Sequence, residues 1–428
     1  MKRIHAFHTG CRRKTFRGLY EPIQIVEQTT ERTLQGDPCG QQSGSGSRLQ
    51  NLFVRRMGSC NGCTAWVWYR LSTKAVVREP SAMGREKMAS ERDMEAFVRG
   101  LPKTDLHVHL EGSIEPELML ELARRNGVHL RWDTPEALRA AYEFRDLQSF
   151  LDLYFEGCKV LVTQDDFHDV TAAYLSRAHR DGVVRAEMFI GPQSFTERGV
   201  PIEALMSGVL GAMDKARASY GISSALSISV HRHRTEADAM TVLEQIMPWR
   251  DQVIGIGMGS AEVGNPPSRF VNFFARARQL GFRSSVHAGE EGPAAYVREA
   301  LDLLDVDRID HGIASITDPV LVRQLADRRV PLTVCPLSNV RLRVVEDMTH
   351  HPLKSMMEAG LLVTVNSDDP PYFGGYVTEN LLACAEALSL PTSDIVQLVR
   401  NGFEAAFLID DERARFLAEL DRYVAAAA

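Results

Sequence analysis

The 428-residue sequence has no apolar run near the roughly 18–20 residues that a membrane-spanning helix needs, which excludes an integral membrane protein. No apolar signal-peptide core follows Met1, because Phe7 and Leu19 stand isolated among basic residues. Its seven cysteines are scattered and odd in number, which is not typical of a disulfide framework. We therefore expect a reduced, cytoplasmic protein without a membrane partner.

Acidic residues are scarce only in the first part of the chain. Residues 1–82 contain 13 Lys or Arg and 5 Asp or Glu, whereas the whole chain has a net charge of −7, so the remainder carries −15. Because binding to phosphate backbones requires a basic surface, this acidic remainder argues against nucleic acid as the main partner.

The basic first part also lacks a regular hydrophobic pattern. It contains a Gly- and Ser-rich stretch at 36–47 and an isolated Cys60-x-x-Cys63 pair, which is a weak signal for a metal or redox site. We predict that 1–95 is a disordered, dispensable extension and that 96–428 forms the folded enzyme.

Two origins of this extension are compatible with its sequence. Its first twenty residues are Arg-rich and free of acids, as in an organelle transit peptide. A start codon assigned too far upstream is the simpler explanation, since Met83, Met88 and Met94 precede the first strongly patterned segment.

From about residue 89 onward, short apolar runs alternate with helical patterns, as in βαβ units with a parallel sheet. Helical stretches include 117–126, closed by Gly127, as well as 320–328 and 353–358. No Gly-rich dinucleotide or phosphate loop follows any run. Eight runs predict a closed (β/α)8 TIM barrel with extra helices: 105–110, 184–190, 226–231, 253–258, 284–287, 308–311, 332–335 and 362–366.

Polar residues stand at the ends of four of these runs, and active sites of such barrels form at the carboxyl ends of the strands. His107 and His109 alternate along one strand and so share a face, where they can hold one metal ion. The fifth run ends in HAGE (287–290), the sixth in DHG (310–312) and the eighth in NSDDP (366–370). Three histidines and a carboxylate around a divalent ion, with a position left for water, are typical of a hydrolytic zinc site.

The motifs at 104–113 (TDLHVHLEGS), 287–290 (HAGE), 310–312 (DHG) and 367–370 (SDDP) resemble those of the adenosine/adenine deaminase family. The resemblance spans roughly residues 98–410, has all four motifs in family order and is highly specific.

This resemblance implies one Zn²⁺ ion per chain and a specific role for each of nine site residues. His107, His109, His287 and Asp368 would be the zinc ligands, and the catalytic residues would be Glu290, which protonates purine N1, and His311, which assists the attack on C6. Three further residues would bind the substrate: Asp369 at N7, Ser260 at the N3 side and Glu111 near the position of a ribose. The substrate would be a small purine; the oligomeric state is left open.

The resemblance favours the branch that converts adenine to hypoxanthine and ammonia. Members that act on adenosine usually carry Asp where this chain has Glu111, whose extra methylene extends into the space of a ribose. The stretches at 262–267, 334–340 and 363–376 also resemble the adenine branch. That branch commonly has an Asp where this chain has Gly259, so the preference could differ, including toward an N6-substituted purine.

Several alternatives and residues are given less weight. An adenosine deaminase is the first alternative, followed by a cyclic-amide hydrolase, whose carboxylated lysine is missing here, and a non-catalytic metal-binding barrel.

His231 and His233 are interpreted as rim residues, His350 and His351 as loop residues outside the zinc site, and Glu291 as a solvated or helix-capping carboxylate. The segment 144–155 is either a lid that excludes water or packing.

Overall fold

The computed structural model describes residues 51–60, 63–72 and 93–427 of a chain that divides into two units, Met1–Lys87 and Met88–Ala428. In the first unit, β1 (Asn51–Cys60) and β2 (Cys63–Ser72) pair in antiparallel register, with Cys60 opposite Cys63. This strand pair was not predicted, because the apolar residues of the two segments lack a clear alternation. The side chains of Cys60 and Cys63, and the rest of 1–92, lie outside the described residues.

The second unit contains an eight-stranded parallel sheet whose strands follow one another in chain order. All eight predicted strands are confirmed, with ends that differ by at most three residues. The strands are β3 (Lys103–His109), β4 (Val183–Ile190), β5 (Ser223–His231), β6 (Val253–Gly259), β7 (Arg283–Ala288), β8 (Arg308–His311), β9 (Leu332–Val334) and β10 (Val363–Val365).

The sheet closes into a barrel between β3 and the residues that follow β10. Val108 and Asp368 form a parallel bridge, in which the Asp368 N–H donates to His107 O at 2.8 Å and the His109 N–H donates to Asp368 O at 3.0 Å. The same backbone contacts that close the barrel therefore hold Asp368 beside the two histidines of β3.

Helices surround the sheet and confirm the predicted (β/α)8 architecture with additions. Gly127 ends one helix in the left-handed conformation (φ 63°), as predicted from its position. The helices are α1 (93–100), α2 (Pro116–Asn126), α3 (Pro135–Ala140), α4 (Leu147–Cys158), α5 (Gln164–Arg180), α6 (Gln193–Thr196), α7 (Ile202–Tyr220), α8 (Glu236–Ile246), α9 (Val271–Gln279), α10 (Ala294–Asp302), α11 (Pro319–Asp327), α12 (Pro336–Arg341), α13 (Leu353–Glu358), α14 (Pro370–Phe373), α15 (Val377–Ala387), α16 (Thr392–Ala405) and α17 (Asp410–Ala427). Across the stretches that the structure describes, every helix is too short or too polar to span a bilayer.

Apolar strand residues and buried ion pairs together stabilise the barrel. Leu106, Val286 and Ile309 are completely buried, as expected for strands covered on both faces. Arg308 is also fully buried and donates to Glu187 Oε2 at 2.8 Å, because a buried guanidinium is tolerated only with a partner. The additional helices α3 and α4 follow β3, at the barrel end where the polar strand termini converge.

Candidate functional site

A cavity lies at the carboxyl ends of the barrel strands, where the site was predicted from the sequence. Nine site residues were predicted. One of them, His107, is completely buried, and its ring lies against those of His109, His287 and His311. The other eight line the cavity: His109, Glu111, Ser260, His287, Glu290, His311, Asp368 and Asp369. The fold thus brings all nine predicted residues together.

The four predicted metal ligands form one compact cluster, with one potential ligand atom from each lying within 4.8 Å of the others. His287 Nε2 lies 3.0 Å from His107 Nε2 and 3.2 Å from His109 Nε2. Asp368 Oδ1 is 3.5 Å from the Nε2 atoms of His107 and His109. With zinc–nitrogen bonds of about 2.0–2.1 Å, tetrahedral ligands are separated by about 3.3 Å, so the cluster fits a single ion.

The hydrogen bonds behind His107 present its lone pair to this cluster. Thr333 Oγ1 donates to Asp310 Oδ1 at 2.8 Å and accepts from His107 Nδ1 at 3.0 Å. Nδ1 therefore carries the proton and Nε2 is free to bind a metal. Burial also lowers the pKa of His109 to about 3, so its imidazole is neutral near pH 7.

Glu290 and His311 lie next to each other beside the metal cluster. His311 Nε2 is 3.6 Å from Glu290 Oε2 and 3.8 Å from Asp368 Oδ2. Burial, followed by the negative charge of Asp368, raises the pKa of Glu290 well above its usual value. A raised pKa makes a carboxyl group better suited to act as a general acid.

Backbone geometry at three site residues is unusual for side chains other than glycine. Ser260 (φ 78°), His311 (φ 61°) and Asp368 (φ 64°) are in the left-handed region, which costs energy that the surrounding contacts must offset. Around Asp368 this support comes from Asp105, whose carboxylate accepts from Ser367 Oγ at 2.6 Å and from the Ser367 N–H at 3.2 Å. All three residues stand at or just after the carboxyl ends of strands, and all three line the cavity.

Asp369 occupies a close-fitting position next to Gly112. A Cβ atom at Gly112 would lie 1.4 Å from Asp369 Oδ1, so only glycine leaves room for this carboxyl group. Burial and the neighbouring Asp368 raise the pKa of Asp369 well above its ordinary value. A protonated Asp369 can donate a hydrogen bond into the cavity.

Glu111 is fixed by the backbone on the cavity wall. Its Oε1 accepts from the Gly191 N–H at 2.6 Å, while its buried Oε2 has no hydrogen-bond partner among the described residues. Burial raises the pKa of Glu111 to about 7. One of its carboxylate oxygens thus remains available to a ligand.

Ser260 follows directly after the carboxyl end of β6. Its hydroxyl is 2.9 Å from His233 Nδ1, and both Ser260 and Gly259 border the cavity. A Cβ at Gly259 would be 3.3 Å from His287 Cε1, so the missing side chain at this position leaves space against the ring of a predicted metal ligand.

Helix α4 covers the cavity with apolar side chains, as one of the two interpretations of segment 144–155 expected. Five of its residues line the cavity: Leu147, Phe150, Leu151, Tyr154 and Phe155. Glu291 Oε1 accepts from the Leu147 N–H at 3.0 Å, which confirms its interpretation as a helix-capping carboxylate. The cover is therefore hydrogen-bonded to the turn that carries Glu290.

Sequence reasoning missed two buried groups that hold this turn. Glu262 accepts from the backbone N–H groups of Gly289 (2.6 Å), Glu290 (3.0 Å) and Gly292 (2.8 Å). Arg232 donates to His287 O at 2.5 Å. Glu262 was noticed only as part of a branch motif, and Arg232 offered no local signal because its partners are distant in sequence. His231, interpreted as a rim residue, does line the cavity.

Comparison with known proteins agrees with this geometry. The adenosine deaminase family profile matches residues 102–423. An adenine deaminase of Rhodopseudomonas palustris is 72% identical over 333 residues, which cover 78% of this chain and 97% of that protein. One of Sphingopyxis alaskensis is 52% identical over 335 residues, covering 78% of this chain and 98% of that protein.

The chain is also similar in sequence and fold to solved structures of related enzymes. The crystal structure of an adenine deaminase from Arthrobacter aurescens is 46% identical, with a TM-score of 0.74 over 76% of this chain and 99% of that one. A zinc-bound amidohydrolase from Burkholderia ambifaria is 28% identical, with a TM-score of 0.72 over 82% of this chain and 97% of that one. The chain belongs to the adenosine deaminase family of metal-dependent hydrolases.

Proposed function

We propose that this protein hydrolyses adenine to hypoxanthine and ammonia, using one zinc ion held by His107, His109, His287 and Asp368. The observation that carries the proposal is a cavity in which this ligand cluster adjoins Glu290, His311 and Asp369. The relatives of 72% and 52% identity are named adenine deaminases, which supports adenine as the substrate.

Zinc is the metal that this ligand set favours. Three imidazole nitrogens and one carboxylate oxygen are typical zinc ligands, and the related structure from Burkholderia ambifaria contains bound zinc. When bound, zinc lowers the pKa of a coordinated water toward about 7 and so supplies hydroxide at neutral pH.

Three side chains of the protein then take different roles in proton transfer and in positioning the reactants. Attack at C6 moves electrons onto N1, and the protonated Glu290 donates its proton there. His311 Nε2, close to both Glu290 and Asp368, holds the attacking oxygen in line with C6. Asp369 donates to N7, which its raised pKa permits. Glu290, left as a carboxylate, then takes the proton of the added hydroxyl and passes it to the amino group. The C6–N bond breaks, ammonia leaves, and the oxygen remains as the C6 carbonyl of hypoxanthine.

The cavity wall at Glu111 favours a free base over a nucleoside. Its carboxylate is held by the Gly191 N–H, so it cannot swing away without giving up a buried hydrogen bond. A ribose on the purine would have to displace this group. Backbone near Ser260, on the other side of the cavity, contacts the N3 edge of the base.

Removal and return of the metal test the proposal. Protein treated with a chelator and dialysed is expected to lose adenine turnover, measured by the ultraviolet change on deamination, and one equivalent of Zn²⁺ is expected to restore it. Turnover that survives with no metal detected by atomic emission would exclude the mechanism.

We further propose that residues 1–87 are dispensable and that the enzyme is cytoplasmic. The compact unit begins at Met88, and the described cysteines Cys158, Cys335 and Cys384 are free thiols. A protein that starts at Met88 is expected to retain kcat and KM for adenine; loss of folding or activity would contradict this.

A further inference from the structure

Two buried side chains form a hydrogen-bonded chain behind His311. Asn339, on α12, lies between His311 and His351, with its Nδ2 at 3.5 Å from His311 Nδ1 and its Oδ1 at 3.1 Å from His351 Nε2. Asn339 is completely buried and His351 is only 4% exposed. His351 was set aside as a loop residue in the sequence analysis, and nothing in the chemistry described so far uses it.

A backbone group determines the direction of every hydrogen bond in this chain. The Leu353 N–H, which can only donate, lies 3.1 Å from His351 Nδ1. His351 Nδ1 must therefore accept, and a neutral His351 carries its proton on Nε2. Burial lowers the pKa of His351 to about 4, which keeps the ring neutral near pH 7.

The orientation of the Asn339 amide follows from this proton. Because His351 Nε2 donates, the group that faces it must be the amide oxygen, and the amide NH₂ then faces His311. Asn339 itself is fixed at its backbone, since its carbonyl oxygen accepts from the Val344 and Val345 N–H groups at 2.9 and 3.1 Å. The amide thus donates to His311 Nδ1, which leaves the proton of a neutral His311 on Nε2.

We propose that His351 and Asn339 are positioning residues that hold His311 as the Nε2–H tautomer, so that it donates a hydrogen bond to the attacking oxygen. Nε2 faces two carboxyl oxygens, Glu290 Oε2 at 3.6 Å and Asp368 Oδ2 at 3.8 Å, on the side of the metal cluster. This inference rests on the proposed deamination, to which it adds the role of His311 as a donor and the residues that enforce it.

Three substitutions separate a tautomer effect from a packing effect. In His351→Gln, the side-chain NH₂ can still donate to Asn339 and the carbonyl can still accept from Leu353, so kcat is expected within about threefold of wild type. His351→Leu removes both functions and should lower kcat about 10–100-fold, the usual effect of losing a group that orients an active-site histidine, with KM nearly unchanged. Asn339→Asp makes the central group accept on both sides, which moves the His311 proton to Nδ1 and should lower kcat further than His351→Leu.

The neighbouring His350 provides the matched control. Its side chain is 63% exposed and pairs with Asp347 instead. His350→Gln is therefore expected to retain wild-type kcat, metal content and melting temperature.

The tautomer itself can be measured without turnover. In full-length, zinc-loaded protein labelled with ¹⁵N-histidine, the His311 resonances are assigned by their loss in His311→Gln. We expect a pyridine-type Nδ1 and a protonated Nε2 in wild type and in His351→Gln, with the reverse pattern in Asn339→Asp.

Three outcomes would overturn the proposal: a protonated Nδ1 in wild-type His311, wild-type kcat in His351→Leu, or an equal loss of kcat in the Leu and Gln variants, which would indicate packing alone. Failure of the wild-type protein to deaminate adenine would instead refute the proposed function and leave the tautomer measurement valid.

Discussion

The carboxylate of Glu262 accepts a hydrogen bond from the backbone N–H of Glu290, at 3.0 Å, while its other oxygen accepts from the Gly289 N–H at 2.6 Å. A fully buried carboxylate thus shapes the turn that carries Glu290, the proposed general acid. We therefore expect Glu262 to affect catalysis through this turn, without contact to the purine.

Glu262→Gln is expected to lower kcat for adenine about 10–100-fold with a smaller change in KM, because an amide can accept through only one of its two terminal atoms and the turn loses part of its support. Steady-state kinetics and a melting curve check this. Glu236→Gln is the control, since Glu236 also accepts from a backbone N–H, that of Phe273, but does not line the cavity. Equal effects of the two substitutions would contradict a specific role for Glu262.

Glu290→Gln is expected to lower kcat by about 10²–10⁴-fold, the range of a lost general acid, while the bound metal stays at one equivalent. Wild-type activity requires the protonated carboxyl. The kcat of the wild-type protein should therefore be at its maximum below the raised pKa of Glu290 and decrease as the pH increases through that pKa. The variant should lack this alkaline decline. A pH profile of kcat with the same decline in both proteins would assign the titration to another group.

Gly112→Ala is expected to abolish most activity, because the added Cβ would overlap Asp369 Oδ1 and displace that side chain from the cavity. Gly211→Ala, in α7, meets no atom within 4 Å and should be neutral or stabilise the protein by about 1 kcal/mol through helix propensity. Kinetics and thermal melting of the pair distinguish the two effects. Normal turnover in Gly112→Ala would mean that Asp369 does not contribute where the structure places it.

Glu111→Asp is expected to lower kcat/KM for adenine and to raise that for adenosine, changing their ratio by at least about tenfold, since shortening the carboxylate by one methylene opens the wall where a ribose would lie. Glu117→Asp, on the exposed face of α2, is the control. An unchanged adenine-to-adenosine ratio would show that another part of the cavity selects the base.

Much of the fold and site could be predicted from the sequence because the information is local. Each strand of a parallel barrel is a short apolar run, and all the strands have their carboxyl ends at the same face of the barrel. The positions of His107, His287, His311 and Asp368 at such ends therefore predict a shared site. The left-handed Gly127 that ends α2 was equally visible.

The supporting residues were not predictable in this way. Thr333 reaches His107 across 226 positions, and Arg232 reaches His287 across 55, so their roles exist only after the barrel closes. His351 looked like an ordinary loop histidine, because the backbone N–H that fixes its proton is a property of the folded turn. The hairpin at 51–72 was missed because its strands carry no clean alternation of polar and apolar residues.

The central claim is that this metal-dependent barrel acts on the free purine base. Its most direct test is the ratio of kcat/KM for adenine and adenosine, measured side by side on the zinc-loaded protein from the ultraviolet change on deamination. The structure and its relatives predict a strong preference for adenine, at least about a hundredfold, with hypoxanthine and ammonia as equimolar products. A preference for adenosine, or turnover of neither compound, would contradict it.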